Sequence, residues 1–263
     1  MQSTLVIVGG GNMGTALLRG AKGAGAIVAE PDPERREAVR SVGAAVVGGV
    51  GEALRASHAN AMVVLAVKPQ VFALVAGEAR GLLHDRPVLS IMAGITLDRL
   101  RRELGTERVV RSMPNLPAAI GRGISAIARE GGRAEDRERA AALLRGVGET
   151  VEIDEALLDG FTAVAGSGPA YLFDLGEAMV RGAVGVGFDH ATAVVLVRRT
   201  LAGAGELMAG DAREPGELRD AVTSRGGTTA AALEVLRRAG WGEAMERAVV
   251  AARDRARELG EQA

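Results

Sequence analysis

The stretch 5-LVIVGGGNMGTALLRG-20 decides how the chain begins to fold. Leu5–Val8 is a short apolar, largely β-branched run of the kind that forms a buried strand. Directly behind it come Gly9-x-Gly11-x-x-Gly14 and, from about Asn12, an Ala/Leu-rich helical run. In that setting the spacing has a mechanism. The first glycine makes a tight turn, the second lets backbone approach a pyrophosphate, and the third lets the helix pack on the strand. The first N–H groups of a helix lack partners inside it, so its start suits an anion. A glycine turn that binds nothing would share the spacing. The further strand "AIVAE" (26–30) completes a βαβ unit, in which the pattern reads as dinucleotide binding.

Outward from this unit, short β-branched runs alternate with helical stretches up to about residue 153: "TLVIV" (4–8), "AIVAE" (26–30), "AMVVLAV" (61–67), "PVLSIM" (87–92), "RVVRS" (108–112), "ISAIA" (124–128) and "ETVEI" (149–153). Near-continuous apolar strands separated by helices imply a parallel sheet covered on both faces, a doubly wound Rossmann-type α/β domain. The second strand ends at Glu30, about twenty residues past the first glycine, where an acidic side chain accepts both adenosine ribose hydroxyls and favours NADH. Arg35 and Arg36 follow, and either could pair with the 2′-phosphate of NADPH. Both cofactors stay open. Ligands in such folds meet the loops at the carboxyl edge of the sheet. Those loops hold "AVKPQV" with Lys68 and Pro69, "SIMAG" with Ala93 and Gly94, and "RSMPN" with Met113, Pro114 and Asn115. These residues are candidates for the nicotinamide pocket, while Pro114 and Pro117 also read as a rigid turn.

After Asp154 the texture changes to Ala, Leu, Val and Arg at helical spacing, with turn signals at 166–169, 185–189, 210–216 and 224–227. Asp154 and Asp189 suit helix N-caps and Pro169 a first helical turn. The expected organisation is a dinucleotide-binding domain over 1–154 and an all-helical domain over 155–263. The helix over 189–210 is apolar beyond a single stripe, and Met179, Val194, Val195, Leu201 and Leu207 are together too many to hide inside one small bundle. Burial against another subunit is favoured over a place at the centre of a monomer.

Composition narrows the function. Net charge is −1 and the 25% of charged residues are spread along the chain, so no basic stripe awaits a nucleic acid. There is no cysteine, and His58, His84 and His190 are scattered without ligand spacing, which argues against disulfides, thiolate chemistry and metal. The N-terminus reads as a first strand and not as a signal peptide, and no apolar run reaches the ~18 residues of a membrane span. A cytoplasmic protein acting on a small molecule is expected.

The inventory also bears on chemistry. Oxidation of an alcohol needs a base, usually His or Lys. The only lysines are Lys22 and Lys68, and the helical region offers only His190, at an expected helix start. Reduction of a protonated imine differs: its carbon is already electrophilic, its nitrogen needs no acid during hydride delivery, and positioning supplies much of the rate. A substrate carboxylate would then need a holder. The stretch 223-TSRGGTTAAALEVL-236 offers one: the N–H groups of Gly226, Gly227, Thr228 and Thr229, the hydroxyls of Ser224, Thr228 and Thr229, and the positive end of a helix. An ordinary capped turn is the plainer reading of the same residues.

"GGGNMG", "AVKPQ", "MPN", "GSGPAY" and "TSRGGTT", in this order and across essentially the whole chain, resemble the pyrroline-5-carboxylate reductase family. The resemblance implies reduction of 1-pyrroline-5-carboxylate to proline with NADPH or NADH. It also implies a nucleotide domain, a helical dimerisation domain and assembly as a dimer, often built up to a decamer. It places the phosphate loop on Gly9, Gly11, Asn12, Met13 and Gly14, and nicotinamide-side contacts on Ala66, Val67, Lys68, Pro69 and Asn115. The substrate loop falls on Ser224, Gly226, Gly227, Thr228 and Thr229, with Thr229 the catalytic candidate. Two departures stand out. Arg225 occupies a position where many members have proline, which adds a cation near the carboxylate, and the connection within "AKGAGAIVAE" is short. Another imine or hydroxyacid reductase of the same architecture, or a dinucleotide-binding protein without turnover, are the rival readings.

Overall fold

The computed structural model describes residues 4–22 and 25–262. Residues 1–3, where the N-terminal reading begins, and Gly23 and Ala24 of the short connection lie outside them. In chain order the first part runs β1 (Leu5–Val8), α1 (Asn12–Gly20), β2 (Ala26–Ala29), α2 (Pro33–Arg40), β3 (Ala45–Val47), α3 (Val50–Ala56), β4 (Met62–Leu65), α4 (Phe72–Ala79) and β5 (Val88–Ser90). It continues through α5 (Leu97–Leu104), β6 (Val109–Met113), β7 (Gly123–Ala128), α6 (Ala134–Arg145), β8 (Gly148–Ile153) and α7 (Leu158–Phe161). The strands form one sheet in the order β3-β2-β1-β4-β5-β6-β7-β8. Alternate residues serve opposite faces. Val6 and Val8 join a core with Leu54, Phe72 and Leu100, whereas Ile7 joins Leu17, Val39 and Leu144 on the other side. This is the doubly wound α/β arrangement.

Each of the seven sequence-predicted strands is present, with two corrections to the sheet. β3 was not expected: it has three residues, sits at the edge and is only partly buried, so it leaves no apolar run to read. The sheet is also not wholly parallel, because β6 and β7 pair antiparallel, Ser112 opposite Ile127. Their connection contains only a 3₁₀ turn, Leu116–Ile120, and a parallel return needs a crossover of about a dozen residues or more. The Pro114/Pro117 segment forms this connection.

A buried ion cluster ties α6 to the sheet. Asp136 is fully buried and receives both Arg108 Nη2 at 2.5 Å and Arg108 Nε at 3.1 Å. Burial alone would raise the Asp136 carboxyl, but the Arg108 guanidinium and the Arg133 N–H hold it below the usual carboxylate range.

The chain divides into two compact units: the described residues up to Ser167 together with those from Val250 onward, and Gly168–Val249. The second unit consists of α8 (Gly168–Gly185), α9 (His190–Gly210), α10 (Pro215–Ala221), α11 (Thr228–Arg238) and the start of α12 (Trp241–Gln262). Asp189 caps α9 as expected, accepting from the Thr192 N–H at 3.0 Å. Asp154 does not cap; its carboxylate pairs with Arg129 at 2.9 Å. α8 and α9 approach over Gly176, where a Cβ would lie 3.2 Å from Leu201 Cδ1. Within this unit Val194 and Leu201 are half-buried, while Val195, Leu207, Phe173 and Val186 are exposed. Apolar helix faces left open to this extent are characteristic of burial against a partner.

Candidate active site

The glycines after β1 have distinct duties. Gly9 sits at φ +103, and a Cβ there would come within 2.7 Å of the Ala66 carbonyl oxygen, so β1 and the end of β4 meet only over glycine. A Cβ on Gly14 would collide with the Gly9 carbonyl oxygen, so α1 packs on the turn only because Gly14 has none. At Gly11 a Cβ would meet no protein atom within 4 Å, which leaves open space beside the start of α1. Gly11 is also the N-cap of α1, and among the described residues no side chain caps that helix. Its first N–H groups are therefore left to water or an anion.

β1 and β4 are neighbours, yet the chain winds away from them toward opposite edges, which opens a crevice at their carboxyl ends. A cleft of about 560 Å³ lies there, within the ~300–1,000 Å³ usual for small-molecule sites. It collects Gly9, Gly11, Asn12 and Met13 after β1, Glu30 after β2, and Ala66, Val67 and Lys68 after β4. Its mixture of open backbone, an unblocked helix start and flanking apolar groups (Val8, Val50, Val75) fits a dinucleotide. No histidine lines it among the described residues.

Gly14, Pro69 and Asn115 do not line this cleft, and neither do the further nicotinamide-pocket candidates Ala93, Gly94, Met113 and Pro114. Gly14 is buried under the turn, and Pro69 opens a 3₁₀ turn behind Lys68. Asn115 is buried, its Oδ1 accepting the Ile124 N–H at 2.9 Å and its Nδ2 donating to the Ala165 carbonyl at 3.2 Å. Ala165 belongs to a π-helical turn, Thr162–Gly166, whose Thr162 carbonyl accepts the Ser167 N–H at 2.8 Å. Asn115 thus ties β7 to an element class that recurs at functional sites. Gly94 (φ +74) meets the C-terminal helix: a Cβ there would stand 2.8 Å from Gly260 Cα.

Several participants were not singled out from sequence. A Cβ on Gly10 would stand 2.8 Å from Val39 Cγ2 and 3.2 Å from Glu30 Oε2. Its N–H donates to Glu30 Oε2 at 2.7 Å. The run of three consecutive glycines, with Gly10 in its middle, was the available signal. Glu78 Oε2 accepts the Val50 N–H at 3.2 Å, capping α3 from across the cleft wall, and no spacing could have disclosed it. Arg36 does not line the cleft: its Nε donates to the Glu30 carbonyl at 2.6 Å and its Nη2 to the Pro31 carbonyl at 2.7 Å. Arg35 does line the cleft.

In the second unit, Thr223 Oγ1 donates to the Arg219 carbonyl at 2.6 Å, ending α10. Gly226 then takes φ +72, and Gly227 is the extended N-cap of α11. Among the described residues no side chain caps α11, so the N–H groups of Thr228 and Thr229 open the helix without a protein acceptor within it. Ser224 Oγ lies where a Gly227 Cβ would be, which requires glycine there unless the serine moves. Ser224, Gly226 and Thr228 are exposed and Gly227 and Thr229 half-buried.

Comparison with known proteins agrees with this architecture. Residues 4–94 match the family described as NADP oxidoreductase coenzyme F420-dependent, and residues 155–259 match that described as pyrroline-5-carboxylate reductase dimerisation. The chain is 40% identical over 266 residues to the pyrroline-5-carboxylate reductase of Thermus thermophilus, covering 98% of each. It is 36% identical over 264 residues to that of Pisum sativum, covering 97% of this chain and 96% of the relative. Among solved structures it is similar to the pyrroline carboxylate reductase of Plasmodium falciparum with NADP bound, at TM-score 0.86, 25% identity and 98% coverage of both chains. The dimerisation region and the open apolar helix faces together support a homo-oligomer. The chain belongs to the pyrroline-5-carboxylate reductase family.

Proposed function

We propose that the chain reduces 1-pyrroline-5-carboxylate to L-proline with a reduced nicotinamide dinucleotide, the last step of proline biosynthesis. The observation that carries this reading is its kinship over nearly its whole length with pyrroline-5-carboxylate reductases. The cleft at the sheet's switch point supports it, since its donors are those a pyrophosphate requires. In this reading Gly9, Gly11, Asn12, Met13 and Gly14 form the phosphate loop. Ala66, Val67, Lys68 and Pro69 flank the nicotinamide, and Asn115 acts behind them by holding the π-helical turn. When bound, the reduced nicotinamide supplies a hydride to the carbon of the C=N bond.

Ser224, Gly226, Gly227, Thr228 and Thr229 are the proposed holders of the substrate's carboxylate, with Arg225 adding positive charge. The start of α11 favours an anion through its N–H groups and its dipole, worth ~0.3–1 kcal/mol when exposed and up to ~2 when partly buried. Thr229, half-buried at the second position of the helix, is the proposed catalytic contact. The iminium nitrogen already carries its proton, so positioning and not acid catalysis is what these residues contribute.

The proposal extends to a nucleotide-binding region over 1–154, a substrate-binding and dimerisation region over 155–263, a dimer that assembles further to a decamer, and a cytoplasmic location. Among the described residues no helix is long and apolar enough to cross a membrane. The test is cofactor oxidation by the purified protein with and without pyrroline-5-carboxylate, with proline identified as product. Oxidation that depends on the imine supports the reading. Cofactor binding without turnover would establish the non-catalytic alternative, and turnover only with a hydroxy or keto acid would establish a different reductase.

A further inference from the structure

Glu30 is 3% exposed and both of its oxygens are engaged by backbone. Oε2 accepts the Gly10 N–H at 2.7 Å and Oε1 the Asp32 N–H at 2.9 Å. The carboxylate is thereby held at the carboxyl end of β2, against the glycine turn and on the wall of the cleft. Both arginines that could receive a phosphate at this edge have partners within the β2–α2 turn. Arg36 is committed to the carbonyls of Glu30 and Pro31. Arg35, the arginine that lines the cleft, faces Asp32 Oδ2 at 3.5 Å.

We propose that Glu30, seated by Gly10, makes this chain select NADH over NADPH. The inference rests on the cofactor role given above to the cleft. Each carboxylate oxygen accepts one N–H and has a further lone pair with which to accept a ribose hydroxyl. A 2′-phosphate in the same place would meet a carboxylate that cannot swing away, because turning it would strand the N–H groups of Gly10 and Asp32. Discrimination of this kind is achieved as much by rejecting the wrong ligand as by holding the right one. The selectivity is thus a property of this chain's own β2–α2 turn and is independent of the NADP described for the Plasmodium falciparum relative.

The experiment is equilibrium titration of the full-length protein with NADH and with NADPH, followed by cofactor fluorescence and calorimetry. The wild-type chain is expected to bind NADH at least about tenfold more tightly. Glu30→Ser and Glu30→Gln, checked for folding by thermal melting, are expected to bring the ratio of the two Kd values to about one or invert it. Equal or tighter binding of NADPH by the wild-type protein overturns the proposal, and this result needs no variant to fold. A ratio unchanged in folded Glu30 variants overturns it as well. Turnover of pyrroline-5-carboxylate, measured in parallel, separates the two claims. NADPH preference with turnover defeats the selectivity alone, whereas NADH selectivity without turnover supports it and defeats the proposed function.

Discussion

Gly10 shows how much a missing side chain can decide. Its absent Cβ lets the Glu30 carboxylate reach the turn's N–H. Gly10→Ala should push on Val39 and Glu30, weaken NADH binding about tenfold in a titration, and cost about 1–3 kcal/mol in a urea melt, as overpacking does. Thr229→Val should raise KM for the imine about tenfold, the loss of one hydrogen bond to a charged group. The cofactor Kd should stay nearly unchanged; an unaltered KM with a weaker cofactor Kd would contradict the assignment of Thr229 to substrate. At this scale the sequence was legible where residue type alone carries the role, as for Gly9 and Gly14. It was silent on Glu30's orientation, because the partners that hold it are backbone N–H groups of Gly10 and Asp32, which no side-chain pattern encodes.

Among the elements, the central strands were legible because buried parallel strands are continuous apolar runs, whereas β3, the antiparallel β6–β7 pair and the π-helical turn depend on what lies beside them. Asn115 illustrates the difference: its chain position hinted at a ligand contact, yet both ends of its amide serve the backbone of other elements. Asn115→Ala should lower kcat while leaving cofactor Kd nearly intact, and lower stability by about 1–3 kcal/mol through the stranded Ile124 N–H. The Arg108–Asp136 cluster gives a pH signature. The Asp136 carboxyl is held below its usual range when folded, so its contribution is fully present above the unfolded value of about 3.9 and is lost as pH falls through the lowered value. Urea melts from pH 7 down to 3 should therefore show this contribution constant to about pH 5 and declining below. Asp136→Asn, which leaves Arg108 without its buried partner, should cost ~3–5 kcal/mol at pH 7 and flatten that acid limb.

The whole molecule presents a well-buried sheet unit and a helical unit whose apolar residues stay open within a single chain. That contrast was visible in the sequence as a helix apolar around more than one stripe. No change of composition marks the place where α12 passes from one compact unit to the other. Light scattering should give a mass that is a multiple of the 27.0 kDa chain, and Val195→Asp, which places a charge on an exposed apolar face of α9, should shift it toward a smaller species. The central claim is that a nicotinamide held in the β1–β4 cleft gives its hydride to a cyclic imine without help from an enzyme acid. Its most direct test uses reduced cofactor deuterated at the transferring position, with the product examined by mass spectrometry and NMR. One deuterium per proline, on the ring carbon of the former C=N bond, is the expected result. Proline without deuterium, or no proline at all, would contradict the account.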